Sequence, residues 1–227
     1  MKLSKRMRMV ADLVKPGETL ADIGCDHGYL SIWLVDTGIV SRAVAMDLRD
    51  GPLMHAKENI RFFHKDEQIE TRLSDGMNEL RPGEADRIVI AGMGGILMSD
   101  ILHRGRECVK MASQLVLQPQ SDVQLVRQAV HDNGYCIVDE RACYEDGKYY
   151  VCFSCEPGTE ERPYTEAEYR YGRILPARKD AVYLRYLAAE LEKRERMLSG
   201  LLAAETDTAR ERIPSAQEEI AQLRALL

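Results

Sequence analysis

The chain has 227 residues, a hydrophobic content of 45% and a formal net charge of −6. This length fits one α/β domain with an appendage or two small domains, and the acidic balance argues against a protein that coats nucleic acid nonspecifically. The sequence shows neither a membrane-length apolar run nor a cleavable leader. Six cysteines without a sign of export predict a cytoplasmic protein with reduced thiols.

Short apolar runs alternate with helix-like patterns over the first half of the chain. Helical spacing of apolar residues favours helices, and Gly51-Pro52 favours the start of one because proline suits a first turn. The predicted elements are a helix at 2–14, strand 20–23, helix 28–36, strand 43–46, helix 51–63, strands 69–73 and 87–90, and a helix at 95–109.

The second half continues with a strand at 114–117 and a helix that Ser121 is predicted to cap and that Asn133-Gly134 ends. Two alternating strands, 135–143 and 148–155, then surround Glu145-Asp-Gly147, which is typical of an antiparallel hairpin. This order predicts a Rossmann-like, doubly wound and mostly parallel sheet with an antiparallel edge hairpin.

The composition changes after the acidic stretch at 156–168. Leucines from position 184 onward follow a seven-residue repeat, and a second stripe begins at Ile213 after a break at 206–212. This pattern predicts two helices paired as an antiparallel, coiled-coil-like hairpin, and a single amphipathic helix folded onto the core is the alternative. The predicted domains are therefore 1–160 and a helical domain at 161–227.

The stretch Leu20-Ala-Asp-Ile-Gly-Cys-Asp-His-Gly-Tyr-Leu30 joins the first strand to the next helix through glycines. Gly24 permits a tight turn and a close approach of backbone to a ligand. The spacing Asp22-x-Gly24-x-Asp26-x-Gly28 differs from a dinucleotide fingerprint, because Asp26 would repel a pyrophosphate. A cationic ligand such as the sulfonium of S-adenosylmethionine is compatible with that acid. A plain structural glycine turn is the alternative.

Polar or glycine residues end each of the following predicted strands. Asp47 comes about 20 residues after the glycine turn, where an acid can accept hydrogen bonds from ribose hydroxyls. Asp75-Gly76 places a carboxylate where it can accept from an adenine amine, and Ala91-Gly-Met-Gly-Gly95 leaves room for a planar substrate. The carboxyl ends of parallel strands share one edge of a sheet, so these groups are expected to meet.

The sequence resembles class I S-adenosylmethionine-dependent methyltransferases, and more narrowly the bacterial family that methylates N1 of adenine 22 in tRNA. The motifs that carry this resemblance are Ala21-Asp-Ile-Gly-Cys-Asp-His-Gly-Tyr-Leu30, Gly51-Pro-Leu53, Ser74-Asp-Gly76, Ile90-Ala-Gly-Met-Gly-Gly95, Leu117-Gln-Pro119, Asn133-Gly-Tyr135 and Gly147-Lys-Tyr-Tyr150. The resemblance implies a catalytic domain over 1–160, S-adenosylmethionine as cofactor and tRNA as partner.

The residue types at this edge divide into a cofactor set and a catalytic set. The expected cofactor-binding residues are Asp22, Gly24, Gly28, Asp47, Asp75, Gly76, Ala91 and Gly92. The expected catalytic residues are Asp26, His27 and Met93. N1 of adenine keeps a free lone pair, so positioning and a carboxylate beside the cationic product are the main requirements. His27 as a helix cap and Met93 as core filling are the alternatives.

A pocket for one adenine cannot recognise a folded tRNA, so a second set of phosphate contacts is needed. The candidates are Lys5, Arg6 and Arg8 near the start of the chain, and Arg178, Lys179 and Arg185 in the predicted helical domain at 161–227, the tail. A tail that only dimerises or supports the core is the alternative. The protein is expected to be a monomer or a weak homodimer, without membrane or metal.

Two other functions stay open at this point. One is a class I methyltransferase that acts on a small molecule or a protein, and the other is a noncatalytic S-adenosylmethionine-binding module. Cys152-x-x-Cys155 does not favour zinc, because a strand sends residues three apart to opposite faces.

Overall fold

A computed structural model describes residues 1–204 and 206–227. The chain divides into two compact units, Met1–Arg170 and Tyr171–Leu227. The strands are β1 (Gly17–Ile23), β2 (Val40–Asp47), β3 (Ile69–Leu73), β4 (Arg87–Met93), β5 (Gln114–Pro119), β6 (Tyr135–Glu145) and β7 (Lys148–Pro157). The helices up to the boundary are α1 (Lys5–Ala11), α2 (Tyr29–Asp36), α3 (Asp50–Phe62), α4 (Gly95–Arg104), α5 (Arg106–Met111), α6 (Val123–Asp132) and α7 (Glu166–Tyr171).

The seven strands form one sheet in the order β3-β2-β1-β4-β5-β7-β6. The strands β1 to β5 run parallel, whereas β7 is antiparallel to β5 and β6 is antiparallel to β7. This confirms the predicted parallel sheet with an antiparallel edge hairpin. The chain reverses its direction of winding between β1 and β4, and a ligand crevice forms at such a point beyond the carboxyl ends of the strands.

The central strands each contain an apolar, buried run of residues. Leu20 of β1, Ile90 of β4 and Leu117 of β5 have no exposed surface. Strands covered on both faces bury both sets of alternating side chains, so their sequences read as continuous apolar runs. This is why β1, β2, β4 and β5 can be recognised from composition alone.

Two predicted helix details are wrong. The helix expected over 95–109 is broken at Gly105 into α4 and α5; a Cβ at Gly105 would lie 2.3 Å from Cε of Met77. Ser121 does not cap α6, because Asp122 is the N-cap residue, with a left-handed φ of +48° and no capping side-chain bond. Ser121 Oγ instead donates a hydrogen bond to the Asp122 carboxylate (2.7 Å).

The segment after β7 is fixed to the first unit by buried polar contacts. The Arg127 guanidinium donates to Glu140 (2.9 Å), and both side chains are fully buried. Its Nη1 also donates to the backbone carbonyl of Tyr169 (2.9 Å), and His131 lies 3.2 Å from the Glu160 carboxylate. These contacts place the segment from 158 to 170 with the first unit, later in the chain than the predicted boundary after residue 160.

The second unit contains α8 (Ile174–Arg178), α9 (Ala181–Ala203) and α10 (Asp207–Leu226). The short connection between α9 and α10 makes them an antiparallel hairpin, as predicted. Its apolar seam buries Leu187, Ala216, Ile220 and Leu223. Ion pairs link the two helices at Arg194–Glu219 (2.8 Å) and Glu195–Arg224 (2.7 Å). No helix within residues 1–204 and 206–227 is long and apolar enough to span a bilayer.

Candidate active site

A cleft of about 520 Å³ lies at the carboxyl ends of β1, β2, β3 and β4 in the first unit. It is lined by most of the residues that the sequence singled out: Asp22, Gly24, Asp26, His27, Asp47, Asp75, Gly76, Ala91, Gly92 and Met93. Gly28, the N-cap residue of α2, does not line the cleft, and a Cβ there would lie 3.2 Å from Cβ of Ala56. The parallel strands therefore bring together groups that are up to 71 positions apart, from Asp22 to Met93.

The loop after β1 turns through three left-handed residues, Gly24, Asp26 and Gly28. Gly24 has φ +77° and its N–H donates to the carbonyl of Met46 (2.8 Å). A Cβ at Gly24 would lie 2.3 Å from Cε of Met93, so only glycine leaves space between this loop and the end of β4. Asp26 has φ +49°, a conformation that is unfavourable for a residue with a Cβ although aspartate tolerates it better than most. The loop is thus held in one particular shape.

Asp47 is nearly buried at the end of β2 and organises that loop. Its Oδ1 accepts the backbone N–H of Arg49 (3.0 Å), and its Oδ2 accepts that of Asp26 (3.4 Å). An ionised carboxylate has about four acceptor positions, so each oxygen can still accept from a ligand hydroxyl. The side chain is therefore both a loop anchor and a possible acceptor facing the cleft.

Asp22 is the most deeply buried acid of the cleft. Ser31 Oγ donates to its Oδ2 (2.7 Å). Burial raises the pKa of Asp22 to about 6; the hydrogen bonds from Ser31 oppose this shift and the charge of Asp47 adds to it. A cationic ligand nearby would favour the ionised form and offset the cost of burial.

Asp75 follows β3 and is held by an arginine that sequence spacing did not reveal. Arg104 donates from Nη1 and Nη2 to its two oxygens (3.0 and 3.2 Å), and from Nε to Asp100 (2.8 Å). Beside it, Gly76 has φ +59°, and a Cβ there would lie 3.0 Å from Ile101. The Asp75 carboxylate is thus fixed in orientation at the cleft edge.

The end of β4 contains a bulge, and its backbone faces the cleft. The register with β5 shifts between Ala91 and Met93, and Gly92 between them has φ +82°. Gly95 then packs against the loop after β5, where a Cβ would lie 2.5 Å from the carbonyl oxygen of Ser121. Ala91, Gly92 and Met93 themselves carry no side-chain amide or carboxylate. The side-chain amide of Gln120 lines the cleft beside them, with Nε2 3.6 Å from the position of a Cβ at Gly92.

Asp26 and His27 lie on the open side of the cleft. About two thirds of the Asp26 side chain is exposed, and His27 Nε2 lies 3.8 Å from its Oδ2. The His27 ring stacks on Tyr29, with centroids 5.8 Å apart. The N-cap residue of α2 is Gly28 and no side chain caps the helix, so the helix-cap interpretation of His27 is wrong.

The six predicted RNA-binding residues fall into three groups. Lys5 and Arg8 are exposed on α1, where Arg8 stacks over Trp33 and pairs with Asp12. Arg6 instead turns inward and lines the cleft. In the second unit, Arg178, Lys179 and Arg185 are exposed at the end of α8, at its C-cap and on α9.

Sequence reasoning missed several cleft residues, including Arg6 in this role, Arg49, Leu97 and Gln120. A signal existed for Arg6, since it is three residues after Leu3, four before Val10 and seven before Leu13. At this spacing it shares the apolar face of α1 and not the solvent face. No comparable signal marks Gln120, whose backbone N–H donates to the Met93 carbonyl (2.8 Å) across the strand ends.

The six cysteines are free thiols. Cys25 lines the cleft, but burial raises the pKa of its thiol far above the usual range, which argues against a nucleophilic role. Within residues 1–204 and 206–227, no three His, Cys, Asp or Glu side chains are grouped so that they could hold a metal ion.

Comparison with known proteins gives matches over the whole chain. The family described as "Methyltransferase domain" matches residues 3–153. The tRNA (adenine(22)-N(1))-methyltransferase of Bacillus subtilis (strain 168) is 32% identical over 232 residues, which cover 100% of this chain and 98% of that protein.

Two solved structures share the fold over nearly their full length. A Streptococcus pneumoniae protein in complex with S-adenosyl-L-methionine has a TM-score of 0.89 and 30% identity, with 100% of both chains covered. TrmK of M. capricolum, solved with the natural cofactor product S-adenosyl-homocysteine, has a TM-score of 0.85 and 26% identity, covering 99% of this chain and 97% of that one.

Proposed function

Because this chain belongs to the tRNA (adenine(22)-N(1))-methyltransferase family, we propose that it transfers the methyl group of S-adenosylmethionine to N1 of adenine 22 in tRNA. One observation carries the proposal. The same cleft combines fixed carboxylates at the ends of β1, β2 and β3 with a side-chain-poor opening at the end of β4.

The residues of the cleft fit the parts of this cofactor. Asp47 retains acceptor positions for ribose hydroxyls, and Asp75 can accept from the adenine amine. Gly24 keeps open the space next to Met93 that a Cβ would fill. The acids also suit a ligand that carries a sulfonium and an ammonium group. Gly28, Gly76, Ala91 and Gly92 contribute backbone shape, and S-adenosylmethionine supplies the electrophilic methyl group.

The residue types at the end of β4 support N1 as the atom that attacks. An exocyclic amine needs a side-chain acceptor for its N–H groups, and Ala91, Gly92 and Met93 supply none. N1 of adenine carries a lone pair in the ring plane and needs no general base, so most of the rate comes from positioning. N1 lies on the pairing edge of the base, so a paired adenine must first be flipped into the cleft.

Asp26 is the residue proposed to favour the reacting state. Methylation of N1 makes the adenine ring cationic, and a carboxylate already aimed at that charge lowers the barrier. Asp26 is exposed toward the open side of the cleft in a fixed left-handed conformation. His27 acts as its polar neighbour, and Met93 presents an apolar surface to the base.

The tRNA body requires contacts outside this cleft. We assign them to Lys5 and Arg8 on α1 and to Arg178, Lys179 and Arg185 in the second unit, with Arg6 as the inner member of the α1 group. These side chains are basic, and the first five are exposed. Phosphate contacts position an RNA without reading its sequence. A tRNA substrate places the proposed activity in the cytoplasm.

A monomer or a weak homodimer is the proposed assembly state. The α9–α10 hairpin already buries its own apolar seam, including Leu187 and Leu223. Coiled-coil helices that find their partner within one chain have less need of a second copy.

One experiment tests reaction, atom and position together. The protein is incubated with labelled S-adenosylmethionine and unmodified tRNA, and the product is mapped by reverse transcription. N1 methylation blocks base pairing, so we expect label incorporation and a new stop next to adenine 22. Label without a stop would place the methyl group on another atom, and a stop elsewhere would overturn the assigned position.

A further inference from the structure

Arg6 differs from the other basic residues of α1 because its side chain enters the active-site cleft. It is half-buried, and its Nη1 donates to Oε1 of Gln118 (2.8 Å). The guanidinium carbon lies 5.6 Å from the ring centroid of Tyr150. Lys5 and Arg8, by contrast, are exposed.

The partners of Arg6 are themselves fixed. Gln118 is fully buried, and its Nε2 donates to the carbonyl of Pro119 (2.9 Å), so its Oε1 is the oxygen available to Arg6. The backbone N–H groups of Lys5 and Arg6 donate to the two carboxylate oxygens of Glu145 (2.6 and 3.2 Å). An arginine held from both ends in this way is pre-organised for a ligand.

The position of Arg6 complements the acids of the cleft. Asp47 and Asp75 follow β2 and β3, on one side of the cleft, whereas Arg6 lies by the ends of β4 and β5. A Cβ at Gly92 would lie 3.2 Å from its Nη1. Its bound partner Gln118 is a neutral amide, so this hydrogen bond brings no negative charge to the guanidinium.

We propose that Arg6 is the oxyanion-binding residue of the active site. It holds either the carboxylate of the cofactor or the phosphate of the target nucleotide; both present paired oxygens that match a guanidinium. The acids on the other side of the cleft would repel either group. This inference rests on the proposed methyl transfer to tRNA, because both anions come from its two substrates.

Calorimetry and tRNA binding on Arg6→Met separate the two sources. If the carboxylate is bound, we expect wild-type protein to prefer S-adenosylhomocysteine to its decarboxylated analogue by about tenfold or more. Arg6→Met should then lose that preference, in line with a charge-assisted hydrogen bond. If the phosphate is bound, S-adenosylhomocysteine affinity should not change. A neutral methylphosphonate at adenine 22 should then weaken RNA binding by wild type and not by Arg6→Met.

Matched variants keep the inference falsifiable. Arg106→Met removes an exposed arginine of α5 that does not line the cleft and should bind both ligands as wild type does. Arg6→Lys keeps a charge and should restore part of the lost affinity. If Arg6→Met fails to fold, the analogue and methylphosphonate comparisons on wild type still decide. Affinities of Arg6→Met within twofold of wild type for both S-adenosylhomocysteine and tRNA would overturn the assignment.

These measurements also stand apart from the test of the proposed function. If the wild-type protein incorporates no label into tRNA, the result would count against the reaction itself. A wild-type protein that methylates tRNA, with Arg6→Met unchanged in both affinities, would count against Arg6 alone.

Discussion

The carboxylates at the floor of the cleft and the carboxylate on its open side are held in different ways. Asp22 and Asp47 are nearly buried and accept hydrogen bonds from Ser31, Arg49 and Asp26. Asp26 is two-thirds exposed, with His27 beside it at 3.8 Å. The floor carboxylates thus have hydrogen-bond partners within the protein, whereas the carboxylate on the open side is exposed and accessible to a substrate. In the proposed reaction, the floor binds the cofactor and the open side acts in catalysis.

The floor acids are held at a cost that a ligand can offset. Burial disfavours the charge of Asp22, as its raised pKa records. The charges of Asp22 and Asp47 also repel one another. A cationic cofactor relieves both penalties, so part of its binding free energy comes from groups that destabilise the protein alone. Substitutions at the floor should therefore change cofactor affinity and stability, whereas substitutions on the open side should change the rate constant for methyl transfer.

The largest effect is expected for Asp26→Ala. It should lower the rate constant for methyl transfer by roughly 10²-fold or more, because it removes a charge placed beside the developing cation. The affinity for S-adenosylhomocysteine should change little. Single-turnover kinetics with saturating tRNA and calorimetry measure the two quantities.

Asp26→Asn is the matched control, since it keeps the shape and a hydrogen-bond acceptor while it removes the charge. Partial activity in this variant would assign part of the effect to hydrogen bonding. Near-normal turnover of Asp26→Ala would remove Asp26 from the catalytic set.

Asp47→Ala should affect cofactor affinity more than the rate constant for methyl transfer. Loss of a charge-assisted acceptor should weaken S-adenosylhomocysteine binding by about 1.5–3 kcal/mol. Asp50→Ala changes an exposed acid at the start of α3 and should bind as wild type does. An unchanged calorimetric affinity of Asp47→Ala would contradict its role at the cofactor.

Asp22→Asn tests the cost of the buried charge. The pKa of Asp22 is raised to about 6 in the folded protein, so above that pH the ionised group destabilises the fold. As the pH falls from about 6 towards 4, only the folded state binds the proton and this penalty disappears. We expect the ligand-free Asn variant to be the more stable by on the order of 3 kcal/mol at pH 7.5.

The difference in unfolding free energy between Asp22→Asn and wild type should therefore shrink towards zero near pH 4. Denaturant unfolding at several pH values measures it. A difference that does not depend on pH would show that the Asp22 carboxyl has an ordinary pKa.

Removal of the tail should leave the floor and the open side of the cleft unchanged. A chain cut after Gly172 keeps the whole first compact unit and should bind S-adenosylhomocysteine normally. Its affinity for tRNA should fall by about tenfold at moderate salt, because phosphate contacts are lost. A truncated protein that methylates tRNA as efficiently as the full chain would exclude the tail from recognition.

The sheet and the acids at its strand ends were predictable for a simple physical reason. Buried parallel strands are short apolar runs, and their carboxyl ends share one edge, so Asp22, Asp47 and Asp75 could be placed together without coordinates. The tail hairpin followed from its leucine spacing in the same way.

The parts that were not predictable depend on contacts between distant segments. Arg104 reaches Asp75 from 29 positions away, and Arg6 is turned inward by Gln118 and Tyr150 of two other strands. The break at Gly105 depends on Met77 filling the space that a Cβ would need. The spacing of Arg6 on α1 indicates that it faces inward, but local patterns do not identify the partners of Arg6, Arg104 or Gly105, because these depend on which elements become neighbours.

In the proposed reaction, the acids around the cleft should also affect how the product is released. Methyl transfer moves one positive charge from the cofactor sulfur to the adenine ring, so the total charge in the cleft stays the same. Asp26 should therefore attract the methylated base most strongly at the moment when the tRNA must leave. We expect dissociation of the modified tRNA to limit repeated turnover, with a rapid first cycle before a slower steady state. Higher ionic strength should then accelerate the steady state while it weakens tRNA capture.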